Sequence, residues 1–464
     1  MRQLHLKNLC AAALVTALLI MTGCIPDLSH QNLSDLEQLP QEPLAYLDPA
    51  TAHQPLIPPD RQLAQSAEFL ERFFAAWQTD QPLMSTQSPF WAIDWVGERE
   101  VYGENLRPVG TERLQALIDL ADQGSYPSLN RRAITVHRSN LRALPTHSPF
   151  FNDPRKAGQG FPFDNLQHAA LQANTPLHVT HISRDGTWVF AETALVYGWM
   201  PLTDLAWIDD EFVQVFQTGR YLTLTSDAVP LFDSEGIYRV SAGIGTLLPL
   251  TGTGPSGHQI LLAVADQDRR AFLAEAPVPI GHGEVFPLSL TPRRLASLAG
   301  SMMGQPYTWG ESFSGRDCSA TVRDLFAPFG LWLPRNSSKQ ARAGRVIPLS
   351  ELTSPQREKH LLAQGIPFLT LVRVPGHIML YIGEHEGRAA LLHTIWGVRT
   401  QSLWGREGRW LIGKTVITTL EPGVEQAGFF LDISSLRNRV ESMNILAPGD
   451  SPQNLGTGKM DTQP

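Results

Sequence analysis

Three residues of this 464-residue chain have the types and the order needed to activate a sulfur nucleophile: Cys318, His377 and His393. Cys318 is the only cysteine beyond the first 24 positions, and it stands where the sequence changes periodicity. The stretch before it, GQPYTWGESFSGRD, is aromatic, Gly-rich and polar, as loops are. After it, Val322, Leu325, Phe326 and Phe329 recur at i, i+3, i+4 and i+7, which predicts one apolar helix face that Gly330 can close. Asp317 is a good N-cap, so Cys318 falls in the first helical turn, where unpaired N–H groups and the helix dipole favour the thiolate. A lone cysteine is more often core filler, and a partner base is what changes the reading. In GHIMLYIG, His377, Met379 and Tyr381 alternate with Ile378, Leu380 and Ile382, as in a strand. His393 lies in the next apolar run, AALLHTIWG, with His385-Glu386-Gly387 as the turn between. A base on one strand, oriented by a polar group on its neighbour, is the logic of an activated nucleophile.

The elements that must position these residues follow from the flanking sequence. TPRRLASLAGSMMG predicts a helix with Thr291 as N-cap, Pro292 at its first position and Leu295, Leu298 and Met302 inward. LPRNSSKQARAG is a short polar connection, and a further helix runs from Ser354-Pro355 to Gly365. Strands then read PFLTLVRV, GHIMLYIGE, RAALLHTIW and a final pair near Trp410 and Val416, an α+β arrangement. His377, His385 and His393 are each eight apart, yet there is no HExxH and no Cys-x-x-Cys, so neither a metal nor an organic cofactor is expected.

PYTWG followed by RDCSA, then PGHIMLYIG, then LLHTIWG, resembles the NlpC/P60 family of papain-like cell-wall cysteine peptidases. The resemblance covers roughly residues 290–425. It implies Cys318 as nucleophile, His377 as base, His393 as the orienting residue and Tyr307 beside the oxyanion site. Ala320 stands where the family usually has Gly, a harmless change in a helix. The implied reaction is cleavage of the γ-D-glutamyl bond to the diamino acid (diaminopimelate) of peptidoglycan stem peptides. In relatives with preceding SH3-like domains, the aspartate before the nucleophile holds the free amine of L-Ala. That role falls here on Asp317, with Ser319 and Ser337 contacting the peptide and Tyr197 walling the cleft. Such a site takes a short peptide with a free N-terminus. Two other classes stay open: a wall-binding lipoprotein whose peptidase fold is inactive, and an amidase or acyltransferase using the same triad.

The chain begins with a targeting segment. Arg2, His5 and Lys7 form a basic region and Leu9 to Ile20 an uncharged apolar one, too short to span a bilayer comfortably. Met21-Thr22-Gly23-Cys24 resembles a bacterial lipobox, which implies lipidation of Cys24 and a membrane anchor. Ile25 is not the aspartate of an inner-membrane retention signal, so the resemblance points to the periplasmic face of an outer membrane. With Cys24 lipidated and Cys10 removed, Cys318 has no disulfide partner. A net charge of −8 argues against nucleic acid as a partner. The expected form is a monomer.

The rest divides by composition. Residues 25–61 are rich in Pro, Gln, Asp and Ser and read as a flexible tether. A small helical N-terminal domain follows over 62–129: Phe69, Leu70, Phe73, Phe74 and Trp77 share one helix face, and a second helix from Thr111 buries Leu114, Leu117, Ile118 and Ala121. An aromatic stripe of this kind is core more often than binding surface. Residues 130–212 are β-like, with Asp185-Gly186 as a tight turn, and the DG-x-W and Gly198-Trp199 steps resemble a bacterial SH3 domain. A second, more diverged SH3-like barrel is expected over 213–285, the peptidase domain over 286–425, and a C-terminal extension over 426–464 that ends in a disordered tail.

Overall fold

The computed structural model describes residues 33–82, 89–401, 405–424 and 435–446. Cys10, Cys24 and the tail from 447 lie outside the described residues, and the signal and lipidation readings lie there with them. Four helices come first: α1 (Ser34–Gln38), α2 (Pro59–Phe74), α3 (Trp91–Gly97) and α4 (Thr111–Ala121). Next stands an antiparallel sheet of seven strands, β1 (Arg131–Thr135), β2 (Ser139–Arg142), β3 (Gln167–Leu171), β4 (Pro176–Ile182), β5 (Trp188–Glu192), β6 (Tyr197–Pro201) and β7 (Leu205–Trp207), in the order β3-β2-β6-β5-β4-β1-β7. Gly186, at φ +73, makes the turn between β4 and β5.

Helix α5 (Asp210–Phe216), capped by Asp209, leads into the second β unit. Its strands are β8 (Tyr221–Leu224), β9 (Val229–Phe232), β10 (Tyr238–Ala242), β11 (Leu247–Gly254), β12 (Gly257–Ala265), β13 (Ala271–Pro279) and β14 (Gly283–Val285). Five of them order as β13-β12-β11-β8-β14, and β9 and β10 form a separate hairpin.

The last unit carries α6 (Pro292–Met302), α7 (Cys318–Phe326), α8 (Ser337–Gln340), β15 (Arg345–Pro348), α9 (Ser354–Gln364), β16 (Thr370–Val374), β17 (His377–His385), β18 (Arg388–Gln401), β19 (Glu407–Thr418) and β20 (Ser442–Ile445). Its sheet runs β15-β20-β16-β17-β18-β19. One face packs on α6 and α7, where Leu295, Val322, Leu325 and Phe326 meet Ile378, Leu380, Leu392 and Ile417. Each such side chain contributes about 1.5–3 kcal/mol on burial. The region expected to hold a final pair of strands is one long strand, β19, paired with β18 across a bulge near Gly397.

Helices α2, α3 and α4 divide between two cores. Phe69, Phe74 and Trp77 share one core with Ile134, Phe212, Phe216, Tyr221 and Phe286, and Trp77 Nε1 donates to the Ala133 carbonyl at 2.8 Å. α3 and α4 instead cover the first sheet, around Phe150 and Leu166. The aromatic stripe is therefore the cement between β units.

Two expectations are corrected. Residues 33–61 are no flexible tether: Leu39 and Ile57 are buried in the core of the last unit, and the Asp35 carboxylate accepts from Thr419 N (2.7 Å) and Oγ1 (2.9 Å). Gln41 brackets the Ile417 backbone, donating to its carbonyl at 2.8 Å and accepting from its N–H at 3.0 Å. This strap is irregular and docks through side-chain-to-backbone bonds, so no periodicity announces it. Nor does the last unit stop near 425. β20 inserts between β15 and β16, antiparallel to both, and so is an interior strand of the sheet.

Candidate active site

Asp317 caps α7 by accepting from Ala320 N at 2.9 Å, which sets Cys318 at the first helical position. The thiol is buried, 8% exposed, and lies against the backbone N–H of Ile378, the residue after His377. Burial, followed by the Asp317 carboxylate, pushes the thiol up to about 12. The expected thiolate is thus corrected: the helix start cannot offset loss of water around the sulfur.

His377 and His393 come together on neighbouring strands, with Nε2 of the first 2.7 Å from Nδ1 of the second. His393 Nε2 lies 3.0 Å from Thr418 Oγ1, and that hydroxyl donates to the Thr419 carbonyl at 2.8 Å. The Thr418 hydroxyl has spent its proton, so it accepts from His393 Nε2–H. His393 Nδ1 must then accept, His377 Nε2–H donates to it, and the His377 Nδ1 lone pair is left for a proton. Burial, then the nearby Arg439 charge, lowers His377 to about 4; burial, then His377, lowers His393 well below the usual imidazole range. Both rings are held neutral, as a base and its orienting partner must be.

Tyr307 approaches the same point. Its backbone N–H donates to Gly413 O at 2.8 Å, and its ring lies 5.9 Å from Trp396. Burial, then the charges of Asp317 and Cys318, raises its hydroxyl well above the usual phenol range, which keeps it a proton donor beside the sulfur.

Asp317 is not free to hold a substrate amine. Its Oδ1 accepts from Ala320 N, Ser319 Oγ (3.0 Å) and Arg335 (3.2 Å), and its Oδ2 from Gly310 N (3.2 Å) and Arg335 (2.7 Å). Ser319 is taken up in the same knot, accepting from Arg335 at 2.9 Å. Ser337 opens α8 behind its cap, Asn336. Tyr197 is elsewhere: 7% exposed, it packs among Phe90, Phe190 and Trp199 inside the first barrel, because its strand position faces that core. The barrel reaches Tyr307 and Trp396 through other residues. Phe163 contacts Trp309 at 5.3 Å, and Phe161 and Phe163 meet Trp396 edge-on at 6.2 and 6.3 Å. The FPF run in a Gly-rich loop, an apolar tip with no strand to serve, is the sequence signal for them.

A buried ionic network holds the loop before Cys318. Glu311 pairs with Arg323 (2.6 Å) and Arg335 (2.7 Å), and its carbonyl accepts from Arg138 of the first barrel. Burial alone would raise the Glu311 carboxyl; Arg323 and Arg335 outweigh it and hold it at about 2. Arg316 grips Asp324 and forks onto Asp227 of the second barrel at 2.7 and 2.8 Å. Glu311, Phe313 and Ser314 all have positive φ, a strained turn that this network keeps in place. Gly310 is obligatory there, since a Cβ would sit 2.5 Å from Gln167.

A buried cysteine at a helix start, a two-histidine relay and two preceding β-barrels define a class, and comparison with known families gives it a name. Residues 304–405 match the NlpC/P60 family, 149–201 an SH3 domain of SH3b1 type, 209–255 an SH3 domain of SH3b2 type, and 4–126 the NLPC_P60 stabilising domain, N term. The chain carries an NlpC/P60 domain, with a helical N-terminal region and two SH3-like domains ahead of it. A solved structure described as a novel NlpC/P60 endopeptidase from Photobacterium damselae subsp. piscicida superposes with a TM-score of 0.80 at 25% identity, over 88% of this chain and 97% of that one. Peptidoglycan endopeptidase RipB of Mycobacterium tuberculosis is 40% identical over 19% of this chain and 38% of its own length. Gamma-D-glutamyl-L-lysine dipeptidyl-peptidase of Bacillus subtilis is 25% identical over 42% of this chain, and the match spans 59% of that relative.

Proposed function

We propose that the protein is a cysteine peptidase of peptidoglycan stem peptides, acting on the γ-D-glutamyl bond to the diamino acid. The observation that carries this reading is the relay Thr418–His393–His377, which leaves one imidazole lone pair on the strand that meets Cys318. Cys318 attacks the carbonyl as its proton passes to His377, since burial keeps the resting thiol protonated. Tyr307 donates to the developing oxyanion. His377 then protonates the leaving amine, and water hydrolyses the thioester to free the acid and restore the thiol.

The preferred substrate is a short peptide with a free N-terminal L-Ala, excluded from bulkier forms by shape. Phe161 and Phe163 roof one side of the cleft against Trp396, and that supports a gate made by the first barrel without an amine-reading Asp317. The lipobox-like run ending at Cys24 supports attachment to the periplasmic face of an outer membrane, where a monomer would meet released wall peptides.

The test offers the purified protein L-Ala-γ-D-Glu-diaminopimelate and its N-acetylated form, with Cys318→Ala as control. Release of the diamino acid from the free-amine peptide, and none by Cys318→Ala, is the expected result. Equal cleavage of both peptides would remove the gate. Binding without cleavage by the wild type would make the protein a wall-binding lipoprotein instead.

A further inference from the structure

Beyond the relay, one arrangement sets like charges side by side. Arg399 of β18 and Arg409 of β19 are direct cross-strand partners, a pairing that weakens a sheet. Arg439 joins them. Its guanidinium donates to the Pro375 carbonyl at 3.1 Å, in the turn that leads into His377. Burial, then the charges of Arg399 and Arg409, lowers Arg439, and Arg399 acts likewise on Arg409, so the three feel one another.

Among the described residues, negative charge nearby is thin. Glu407 stands 4.0 Å from Arg409 and is more than half exposed, while Glu441 is engaged by Arg373 at 3.2 Å. Arg399 is exposed and makes no ion pair among the described residues. The cluster also lies close to Tyr307 and to the barrel loop that meets it. Trp396, three residues before Arg399 on β18, touches Tyr307 and Phe163, and Arg409 lies over Gly158 of the barrel loop that carries Phe161.

We propose that Arg399, Arg409 and Arg439 form an anion subsite on the leaving-group side of the cleft, which takes the carboxylates of the diamino acid. This rests on the peptidase reading above and adds to it the groups that choose the substrate. The imidazole that protonates the leaving amine marks the side on which the amine product sits, and Arg439 is tied two residues from it. A diamino acid released there has a carboxylate on the carbon that bears the leaving amine. Diaminopimelate has a second one at the far end of its side chain, and lysine has none there. Guanidinium forks match carboxylates, and three of them with little opposing charge favour the residue with more carboxylates.

The experiment measures kcat/KM of the full chain for L-Ala-γ-D-Glu-meso-diaminopimelate and L-Ala-γ-D-Glu-L-lysine, in the wild type and in Arg399→Gln and Arg409→Gln. The wild type should prefer diaminopimelate by about ten- to a hundred-fold, the worth of one or two charge-assisted contacts. Each variant should bring that ratio toward one, with most of the change in KM. Raised salt should narrow the ratio in the wild type more than in the variants. Thermal unfolding of Arg399→Gln, at an exposed position, separates lost folding from lost recognition. A wild-type ratio near one, or a ratio unmoved in well-folded variants, overturns the anion subsite while leaving the peptidase intact. Cleavage of neither peptide by the wild type overturns the peptidase reading itself.

Discussion

At the scale of single residues, the relay makes Thr418 a positioning residue whose effect passes through His393. Thr418→Val should leave His393 Nε2–H buried without an acceptor and lower kcat about tenfold with little change in KM, and Thr418→Ser should restore it. Steady-state kinetics on the free-amine tripeptide check this, and equal kcat in all three proteins would sink it. The pH behaviour follows from burial. Because the Cys318 thiol is pushed up to about 12, its alkylation by iodoacetamide should climb steadily with alkaline pH, and a fast plateau below about pH 7 would contradict the neutral resting thiol. His377 and His393 have folded pKa values below the unfolded value, so the unfolded chain binds more protons in acid. Their contribution is whole above about pH 6.5 and is lost as pH falls toward 4, so the unfolding midpoint should drop across that window. Cys318 at a helix start and histidines on adjacent strands were legible because caps and alternation are local signals. The ties of Asp317 to Arg335 and Gly310 were not, since they join residues that only the folded loop brings together.

At the scale of elements, the strap over residues 33–57 shows why composition misleads. Its Pro- and Gln-rich sequence has no period, yet Gln41 pairs with the Ile417 backbone as an edge strand would, and so covers the open edge at β19. Gln41→Ala should cost about 1–3 kcal/mol through the exposed Ile417 groups, lower the unfolding midpoint and speed amide exchange along β19. Unchanged exchange would mean that the strap is dispensable. The strands of the peptidase sheet were readable from alternation and turn residues, but β20 was not. SMNI is too short to outweigh the Asn-, Pro- and Gly-rich residues after it.

At the scale of the whole molecule, the modules are joined by charge as well as by aromatic packing. Arg316, one residue before the N-cap of α7, forks onto Asp227 of the second barrel, and both groups are largely buried. Asp227→Ala removes one of the two carboxylates that hold that guanidinium and leaves it Asp324 alone, which should cost roughly 1–3 kcal/mol and lower kcat by loosening the Cys318 loop. Limited proteolysis between the second barrel and the peptidase domain, alongside kcat, reads both effects, and a variant as resistant and as active as the wild type would refute the link. None of this was visible from spacing, because Asp227 and Arg316 are far apart in the chain.

The interior place of β20 also bears on timing. β15 and β16 leave a ribosome or a translocation channel before β20 does, and the strand that separates them ends only at Ile445. A nascent chain can thus present the cysteine and both histidines while its central sheet still lacks a member. The sheet that holds both histidines is therefore complete only once the strand that ends at Ile445 has been made.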